Sequence, residues 1–483
     1  MPVYSVKVKW GKETYPDVEL NTDEEPALFK AQLFALTGVT PDRQKIMVKG
    51  GILKDNSWKG LTIKDGIMVM LMGTKEEDIA TEPAKKPLFV EDMSEAELAS
   101  AMDMPGGLEN LGNTCYINAT VQCLKSVPEL KNSIIDFTSE GFGFEPTSGV
   151  VSAMKDVYSR LDKNNNAHPM LLVTQIMSAF PRFAERGEGG HFAQQDANEL
   201  FLELMTVLKQ KLPPIKAENQ IKTYSSVIDQ YFGGSFLCQM KNTECEEETV
   251  KTDTEDFLQL SCYISQEVKY LENGLRLKLK EHITKRSEIL DRDSVYEKTS
   301  QIKRLPAYLT IQMVRFFYKE KDNINAKILK DIKFPIQLDV FDLCADELKL
   351  KLAPMRKKFK DIEDKEALEA KNKRKTNQNE EEKKEKKTEP YSFPDDLGSN
   401  NSGFYELQAV LTHKGRSSSS GHYVAWCRRK GDEWFQFDDD KVNTVTTEDI
   451  LKLSGGGDWH CAYVLLYGPR VLEVEEGDEK MES

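Results

Sequence analysis

Several features that define broad protein classes are missing from this chain of 483 residues. No apolar run approaches the roughly 18 residues that a membrane-spanning helix needs, so we expect no membrane insertion. The N-terminus lacks the basic-then-apolar order of a signal peptide and instead alternates, as MPVYSVKVKWGKETY. The net charge of −14 leaves no basic surplus for binding nucleic acid or anionic lipid. We therefore expect a cytosolic or nuclear protein that binds neither.

Cysteines in metal-binding spacing are also lacking. Eight cysteines are scattered along the chain, and no CxxC pair occurs. Cys238 and Cys245 have six residues between them, and Cys262 stands alone. A closed tetrahedral zinc site requires closer pairs, so we expect no metal and no other cofactor. In a reducing compartment the thiols are expected to be free.

The N-terminal segment has the pattern of a small α+β unit. Apolar and polar residues alternate around Val6 and Val8, which predicts a half-buried strand. A helix is predicted from Pro26 to Gly38, because proline favours the first helical position and glycine the position after the last. We expect its apolar face to consist of Phe29, Leu33 and Leu36. Two further strands are predicted in KIMVKG and GIMVMLM.

Composition divides the chain into two domains and several connecting segments. We predict a first domain at 1–75, a charged linker at 76–103 and a larger domain at 104–470. A disordered insertion is predicted at about 365–392, because KNKRKTNQNEEEKKEKKTEP has too few apolar residues to fold alone. An acidic tail is predicted at 471–483. We interpret the charge runs as solvated segments.

Cys115 stands where a polar loop meets a helical pattern, in GGLENLGNTCYINATVQCL. Asn113 or Thr114 is placed to cap the helix. A cysteine in the first helical turn faces unpaired N–H groups and the positive end of the helix dipole, which favour the nucleophilic thiolate. The alternative is a small buried apolar residue, which is our interpretation of Cys123.

His422 is the histidine with the most informative surroundings, in SSSSGHYVAWCRRKGDEWFQFDDDKV. Two strand-like segments flank the turn signal Lys430-Gly431-Asp432. A hairpin centred on residue 430 brings His422 beside Asp438, as a base with an orienting carboxylate. Asp439 and Asp440 are alternative partners, and a solvated acidic turn is the alternative reading. The remaining histidines are interpreted as structural or exposed: His168, His191, His282, His413 and His460.

Five motifs occur together in an order similar to that of the ubiquitin-specific proteases, a papain-like cysteine peptidase family. They are GLENLGNTCYINATVQCL, QQDANE, LPAYLTIQMVRFFY, GHYVAW and WFQFDDDKV, within about residues 104–468. The first domain resembles a ubiquitin-like unit. It has a single Gly73 and the chain continues beyond it, which favours a built-in binding module over a conjugated tag.

The resemblance implies an α+β fold, with a β-grasp domain followed by a peptidase domain of palm, thumb and fingers. It implies hydrolysis of the isopeptide bond at the C-terminal glycine of ubiquitin. Cys115 would be the nucleophile, His422 the base and Asp438 the third member. Asn110 would donate to the oxyanion. A box that lines the approach of the ubiquitin tail would comprise Gln194, Gln195 and Asp196, although it can also be read as a polar helix start.

The resemblance also implies partners. Ubiquitin and ubiquitinated proteins would be substrates, and the ubiquitin-like unit would bind the 26S proteasome regulatory particle, as in proteasome-associated family members. The free protein is expected to be monomeric. A mobile regulatory loop is predicted directly before His422, in which Ser418 or Ser419 is a candidate phosphorylation site: Ser417, Ser418, Ser419, Ser420 and Gly421. The alternatives are a ubiquitin receptor without turnover and a peptidase for a related modifier.

Overall fold

The structure is a computed structural model that describes residues 3–49, 51–54, 57–75, 104–138, 145–187, 190, 192–216, 221–319, 324–376, 386–417, 420–457 and 459–475. The chain divides into two compact units, Met1–Ser94 and Glu95–Ser483. The predicted linker at 76–103 lies outside the described residues. Within the described ranges, no helix combines the length and apolar character needed to cross a bilayer.

The first unit has the predicted order of hairpin, helix and further strands. Its elements are β1 (Val3–Trp10), β2 (Glu13–Asn21), α1 (Pro26–Thr37), β3 (Lys45–Val48), β4 (Gly51–Ile52) and β5 (Met68–Met72), with a 3₁₀ turn at Pro41–Arg43. Among the described residues they form a five-stranded sheet in the order β2-β1-β5-β3-β4, with β1 and β5 parallel. This is the strand order of the ubiquitin-like fold that the sequence resembles.

Helix α1 packs on this sheet, although one predicted core residue is wrong. Phe29 and Leu33 are buried, whereas Leu36 is 43 % exposed. Lys30 and Thr37 are buried in its place. Residues advance by about 100° around a helix, which puts Leu36 on the opposite side of Phe29 from Lys30. The buried stripe is thus rotated relative to the predicted one.

The second unit contains most of the helices of the described chain. They are α2 (Cys115–Lys125), α3 (Pro128–Ile135), α4 (Pro146–Leu161), α5 (Met170–Ala179), α6 (Ala197–Lys211), α7 (Val227–Tyr231), α8 (Leu271–Lys278), α9 (Asp346–Thr376) and α10 (Thr447–Leu451). Short 3₁₀ turns cover Pro181–Ala184, Phe341–Leu343 and Lys452–Ser454. Helices α2 to α7 form a layer around one apolar core.

Among the described residues, the strands of the second unit form a large central sheet, a smaller four-stranded sheet and one two-stranded pair. They are β6 (Gly234–Asn242), β7 (Lys251–Phe257), β8 (Leu260–Tyr263), β9 (Lys280–Arg286), β10 (Asp293–Arg304), β11 (Leu309–Val314), β12 (Phe316–Lys319), β13 (Ile324–Lys327), β14 (Gln337–Asp339), β15 (Lys386–Thr388), β16 (Phe404–Ser417), β17 (Ser420–Lys430), β18 (Glu433–Asp438), β19 (Lys441–Thr446), β20 (Cys461–Pro469) and β21 (Glu473–Glu475). In the described chain the main path of the large sheet is β19-β18-β17-β16-β20-β11-β8. The smaller sheet has the order β7-β6-β10-β9. The helical layer, the large sheet and the smaller sheet correspond to the thumb, the palm and the fingers that the resemblance implies.

Strand β17 separates two apolar cores. Tyr423 and Ala425 point to the core that contains Cys115, whereas Val424 and Trp426 belong to a second core on the other face. Successive side chains of a strand point to opposite faces, so neighbouring residues are divided in this way. The start of β17 therefore lies at the border between the helical layer and the second core.

The predicted disordered insertion is wrong over its first part. Residues 365–376 continue helix α9, and residues 377–385 lie outside the described range. Phe359 is buried, and its ring meets that of Phe404 edge-on at 5.3 Å. Lysine, glutamate and alanine have high helix propensity, so a helix anchored by packing can extend through a segment that has no core of its own.

The last part of the insertion and the start of the acidic tail pair with each other. Strand β15 runs antiparallel to β21, with Lys386 opposite Glu475 and Thr388 opposite Glu473. This backbone pairing joins the last part of the insertion to the start of the tail. Residues 476–483 of the predicted tail lie outside the described residues.

Candidate active site

Cys115 is the first residue of helix α2 and is only 2 % exposed. The predicted side-chain cap is wrong, because neither Asn113 nor Thr114 caps the helix. The Thr114 hydroxyl instead accepts a hydrogen bond from the backbone N–H of Leu111. Asn113 has a φ of 55°, which gives the loop a sharp turn immediately before the helix. No side chain therefore accepts the first N–H groups of α2 as a cap, at the helix end that carries the thiol.

His422 and Asp438 are in contact, as the hairpin pattern predicted. His422 Nε2 lies 2.5 Å from Asp438 Oδ1. The predicted register is wrong by two residues, because Ala425 pairs with Phe437 and the turn is centred on residue 431. His422 and Asp438 are consequently diagonal neighbours on one face of the sheet. Diagonal pairs remain within reach of long side chains, so the contact survives the shift.

The neighbours of His422 favour its charged form. Asp438 has the largest effect and Cys115 the next, and together they raise the pKa of His422 to about 10. The same contact with His422 lowers the pKa of Asp438. The imidazole is thus hydrogen-bonded to the Asp438 carboxylate, and the Cys115 thiol acts on the same ring.

Asp439 connects the pair of His422 and Asp438 to the loop before Cys115. Its carboxylate accepts hydrogen bonds from the side-chain amides of Asn110 and Asn118, each at 2.8 Å. Its backbone carbonyl accepts the N–H of Leu108 at 2.9 Å. Asn118 lies one turn after Cys115, so Asp439 connects the loop, the helix and the end of β18. Its φ of 54° lets all three bonds form at once.

The environment of Asn110 differs from the expectation. Its amide nitrogen is directed to Asp439, and its oxygen accepts the N–H groups of Gly112 and Thr114. The side chain therefore shapes the loop in this structure. Donation to an oxyanion requires the amide to leave Asp439, so that role stays a prediction.

The box of Gln194, Gln195 and Asp196 begins helix α6. Asp196 is the N-cap of this helix, and its carboxylate accepts hydrogen bonds from the N–H groups of Asn198 and Glu199. It also accepts a hydrogen bond from the hydroxyl of Tyr463 at 2.7 Å. Burial raises the pKa of Asp196 despite these hydrogen bonds. The helix-start reading therefore accounts for Asp196, whose carboxylate is already satisfied.

The two glutamines of the box differ from each other. Gln195 Nε2 donates to the carbonyl of Arg182 at 3.3 Å. Gln194 Nε2 is buried and has no hydrogen-bond partner among the described residues. A buried donor without a partner costs free energy unless a ligand supplies an acceptor. Gln194 is the member of the box that is free to bind one.

The predicted serine loop is largely a tight hairpin. Ser417 ends β16 and faces Ser420, which begins β17, while Ser418 and Ser419 lie outside the described residues. Gly421 has a φ of 139°, and a Cβ there would lie 2.1 Å from the carbonyl oxygen of Lys414. Only glycine allows this close approach. The expectation of a loop is therefore wrong for Ser417, Ser420 and Gly421, and the regulatory role stays a prediction.

The segment before β20 brings two residues to His422 that the sequence did not assign. The His460 ring meets the His422 ring at 6.3 Å and the Trp459 ring at 5.3 Å. Burial, together with the charge of His422, lowers the pKa of His460 to about 4. His413 is fully buried, and burial lowers its pKa to about 3. The only sequence signal for this segment was an aromatic pair after three glycines.

The structure also shows the surroundings of His168 and the groups that could bind a metal ion. His168 Nδ1 contacts Glu109 Oε2 at 2.7 Å, and His191 lies outside the described residues. In the described chain, one set of three ligating groups lies within 4.8 Å, namely His422, Asp438 and Asp439. Hydrogen bonds with one another or with asparagine amides already use these groups.

Comparison with known proteins identifies the family. The model of the family "Ubiquitin carboxyl-terminal hydrolase" matches residues 106–467. Ubiquitin carboxyl-terminal hydrolase 7 of Arabidopsis thaliana is 40 % identical over 97 % of this chain and 100 % of its own length. Ubiquitin carboxyl-terminal hydrolase 14 of Caenorhabditis elegans is 41 % identical over 98 % of this chain and 94 % of its own.

A solved structure shares the fold. The SAGA Ubp8/Sgf11/Sus1/Sgf73 DUB module bound to ubiquitin aldehyde contains a chain that is 20 % identical. The match has a TM-score of 0.52 and covers 76 % of this chain and 69 % of the other. The expected peptidase fold is thereby confirmed. Together with the family match and the full-length relatives, the site identifies this chain as a member of the ubiquitin carboxyl-terminal hydrolases, which are cysteine-type deubiquitinases.

Proposed function

We propose that the protein hydrolyses the isopeptide bond after the C-terminal glycine of ubiquitin, with Cys115 as nucleophile, His422 as base and Asp438 as the orienting carboxylate. The observation that carries the assignment is the hydrogen bond between His422 and Asp438, together with a Cys115 thiol that helps to raise the pKa of the same imidazole. A thiol paired with a charged imidazole at a helix N-terminus is the arrangement that generates a thiolate nucleophile.

The reaction has two steps. The Cys115 thiolate attacks the glycine carbonyl carbon, and the charge on the carbonyl oxygen is met by the N–H groups at the start of α2. His422 gives its proton to the lysine amine as the C–N bond breaks, which leaves a thioester. His422 then takes a proton from water, whose oxygen attacks the thioester and releases ubiquitin and the thiolate.

Two side-chain amides are candidates for binding carbonyl oxygens of the substrate. Asn110 would have to exchange its bond with Asp439 for one with the oxyanion. The buried Gln194 amide needs no exchange, and we propose that it meets a carbonyl of the ubiquitin tail. Gln195 and Asp196 would then act mainly by holding α6 in place.

A ubiquitin probe with a C-terminal electrophile tests this assignment. The full chain is expected to become labelled, and Cys115→Ala is expected to abolish labelling. Cys245→Ala is the matched control, because Cys245 is a partly exposed thiol that lies outside the site. No labelling of the wild type would favour a ubiquitin receptor without turnover, and labelling only by another modifier's probe would favour a related peptidase.

We further propose that the ubiquitin-like unit binds the 26S proteasome regulatory particle, so that the enzyme trims ubiquitin from substrates there. Supporting this, the outer face of its sheet exposes four methionines that are 38–53 % accessible: Met47, Met68, Met70 and Met72. Flexible methionines on an exposed face suit an apolar protein partner. We place this activity in the cytosol or nucleus and in a protein that is monomeric when free.

Capture of proteasomes by the immobilised full chain tests this second proposal. The double variant Met47→Asp/Met70→Asp is expected to reduce capture at least tenfold, because two charges would enter an apolar contact. Leu28→Asp is the matched control, since Leu28 is 59 % exposed on helix α1 of the same unit. Equal capture by all three proteins would contradict the proposal.

A further inference from the structure

An open cleft of about 520 Å³ lies against His422. We call it the His422 cleft; beside that ring it is lined mainly by Lys414, Gln436, Asp438, Trp459 and His460. None of Gln194, Gln195 and Asp196 contributes to it. The cleft is therefore distinct from the box at the start of α6.

The two regions lie on different faces of the large sheet. Asp196 bonds to Tyr463, which packs in the core of the helical layer together with Cys115. His422 alternates with Tyr423 along β17, which directs it to the face of Val424 and Trp426. His422 must reach both the thiol and the leaving amine. In the proposed function the ubiquitin tail lies on the side of α6. The leaving group is then expected to approach His422 through the cleft.

The cleft contains an exposed aromatic ring that already holds a lysine. Trp459 is 57 % exposed, and Lys414 Nζ lies 4.8 Å from the centroid of its ring. The rings of Trp459, His460 and His422 follow one another at 5.3 and 6.3 Å. This row of rings leads from the proton donor to the exposed indole.

We propose that Trp459 is a specificity-determining residue that holds the side chain of the substrate lysine on the leaving-group side of His422, taking the place of Lys414. The inference rests on the isopeptide hydrolysis proposed above. The indole face packs against the methylene stem. The amine that leaves after proton transfer from His422 is neutral, and once it takes up a proton from solvent the indole face attracts it as an ammonium. His460 is uncharged at neutral pH, because burial lowers its pKa to about 4, and so it does not repel that cation.

Partitioning of the acyl-enzyme isolates this contact. The full chain is incubated with ubiquitin ethyl ester, so that Cys115 forms the thioester and ethanol leaves. Water converts the thioester to free ubiquitin. Nα-acetyl-lysine methylamide instead attacks the thioester carbonyl through its side-chain amine, gives its proton to His422 and expels the thiolate, which forms an isopeptide. Mass spectrometry gives the ratio of lysine adduct to free ubiquitin.

Trp459→Ala is expected to lower this ratio about two- to fivefold, the factor that corresponds to about one methylene group no longer removed from water. Trp459→Phe retains an aromatic face and is expected to keep most of the ratio. Lys414→Ala removes the competing lysine and is expected to raise it. With hydroxylamine, which has no methylene stem, Trp459→Ala is expected to leave the partition ratio unchanged.

The outcomes separate the two proposals. An unchanged lysine ratio in Trp459→Ala, or an equal fall with hydroxylamine, would overturn the role of Trp459. A wild type that turns over the ester but forms no lysine adduct would overturn the leaving-group site. A wild type that cleaves neither ubiquitin ester nor ubiquitin linked to a lysine peptide would contradict the proposed hydrolysis itself.

Discussion

The helix that carries Cys115 and the hairpin that carries His422 differ in what holds them in place. Ten of the eleven residues of α2 are buried, so packing on all sides fixes the thiol. The side chains of His422 and Asp438 are 34 % and 40 % exposed, and their hydrogen bond fixes the ring. The comparison indicates that substitutions in the core should affect the nucleophile by changing the stability of the fold. Substitutions of polar groups should affect the base by changing its charge.

The two regions are connected at Asp439. Its side chain holds Asn110 and Asn118 from the cysteine side, and its neighbour Asp438 holds His422. Gly107 allows this approach, because a Cβ there would lie 2.6 Å from the Asp439 carbonyl oxygen. The distance between thiol and imidazole therefore depends on a contact between segments more than 300 residues apart in the sequence.

The largest expected effect comes from removing the hydrogen bond that fixes the base. Asp438→Asn removes the carboxylate that most favours the imidazolium, so the pKa of His422 should fall from about 10 towards its ordinary value. We expect kcat/KM for a ubiquitin aminocoumarin substrate to fall about 10³-fold, by analogy with other triads. NMR titration of His422 measures the pKa change directly.

Asp440→Asn is the control for this variant, since the Asp440 side chain is exposed on the same turn. It is expected to change kcat/KM less than twofold. Equal losses in the two variants would show that the acidic turn acts only through its net charge, and the proposed role of Asp438 would be abandoned.

The packing side of the comparison is tested by Leu124→Ala. Leu124 is fully buried in α2, and truncation of a buried leucine costs about 2–5 kcal/mol of unfolding free energy. Urea unfolding of the second unit measures this cost. The matched control, Leu451→Ala, removes a leucine that is 44 % exposed and should change stability by less than about 0.5 kcal/mol. A similar cost at both positions would contradict the idea that packing fixes α2.

The connection between the two regions is tested by Asp439→Ala. Loss of the side-chain bonds should let the cysteine loop shift relative to β18, and a displacement of about 1 Å costs about 10²-fold in rate. Asp439→Asn keeps an acceptor and tolerates the positive φ, so it should retain more activity. Unfolding free energies and the pKa of His422 are measured alongside. Normal activity of Asp439→Ala would show that the contact positions nothing.

The sequence was informative where chemistry and local pattern coincide. Strand alternation around a glycine turn brought His422 and Asp438 together, and the contact tolerated a register error of two residues because both face the same side. The start of α2 followed from its apolar spacing and the polar loop before it. Motif resemblance covered the rest of the peptidase unit.

Other features depend on contacts that local pattern does not contain. Nothing near Asn110 indicates that its amide bonds to Asp439, because that contact requires a left-handed backbone far along the chain. Trp459 lines the His422 cleft because β20, which follows it, lies beside β16 in the sheet. The helical part of the insertion depends on Phe359, which anchors a segment that has no core of its own.

The smallest expected effect is the dependence of stability on pH. The pKa of His422 is raised in the folded protein to about 10, whereas an unfolded histidine titrates near 6.5. The stabilisation is therefore complete below about pH 6.5 and is lost as the pH rises towards 10. We expect the wild type to exceed His422→Gln in unfolding free energy by more at pH 6 than at pH 9.

Denaturant unfolding of both proteins at the two pH values measures this difference. Asp438 contributes nothing to the change in this interval, because its lowered pKa lies far below it. His413 and His460 are buried and have lowered pKa values, so their effect is opposite in sign. Burial is the largest cause of the lowering and is common to both proteins, so most of this effect cancels in the difference. A gap that widens with pH would mean that His422 is neutral when folded, and the contrast between a charge-fixed base and a packing-fixed nucleophile would then be lost.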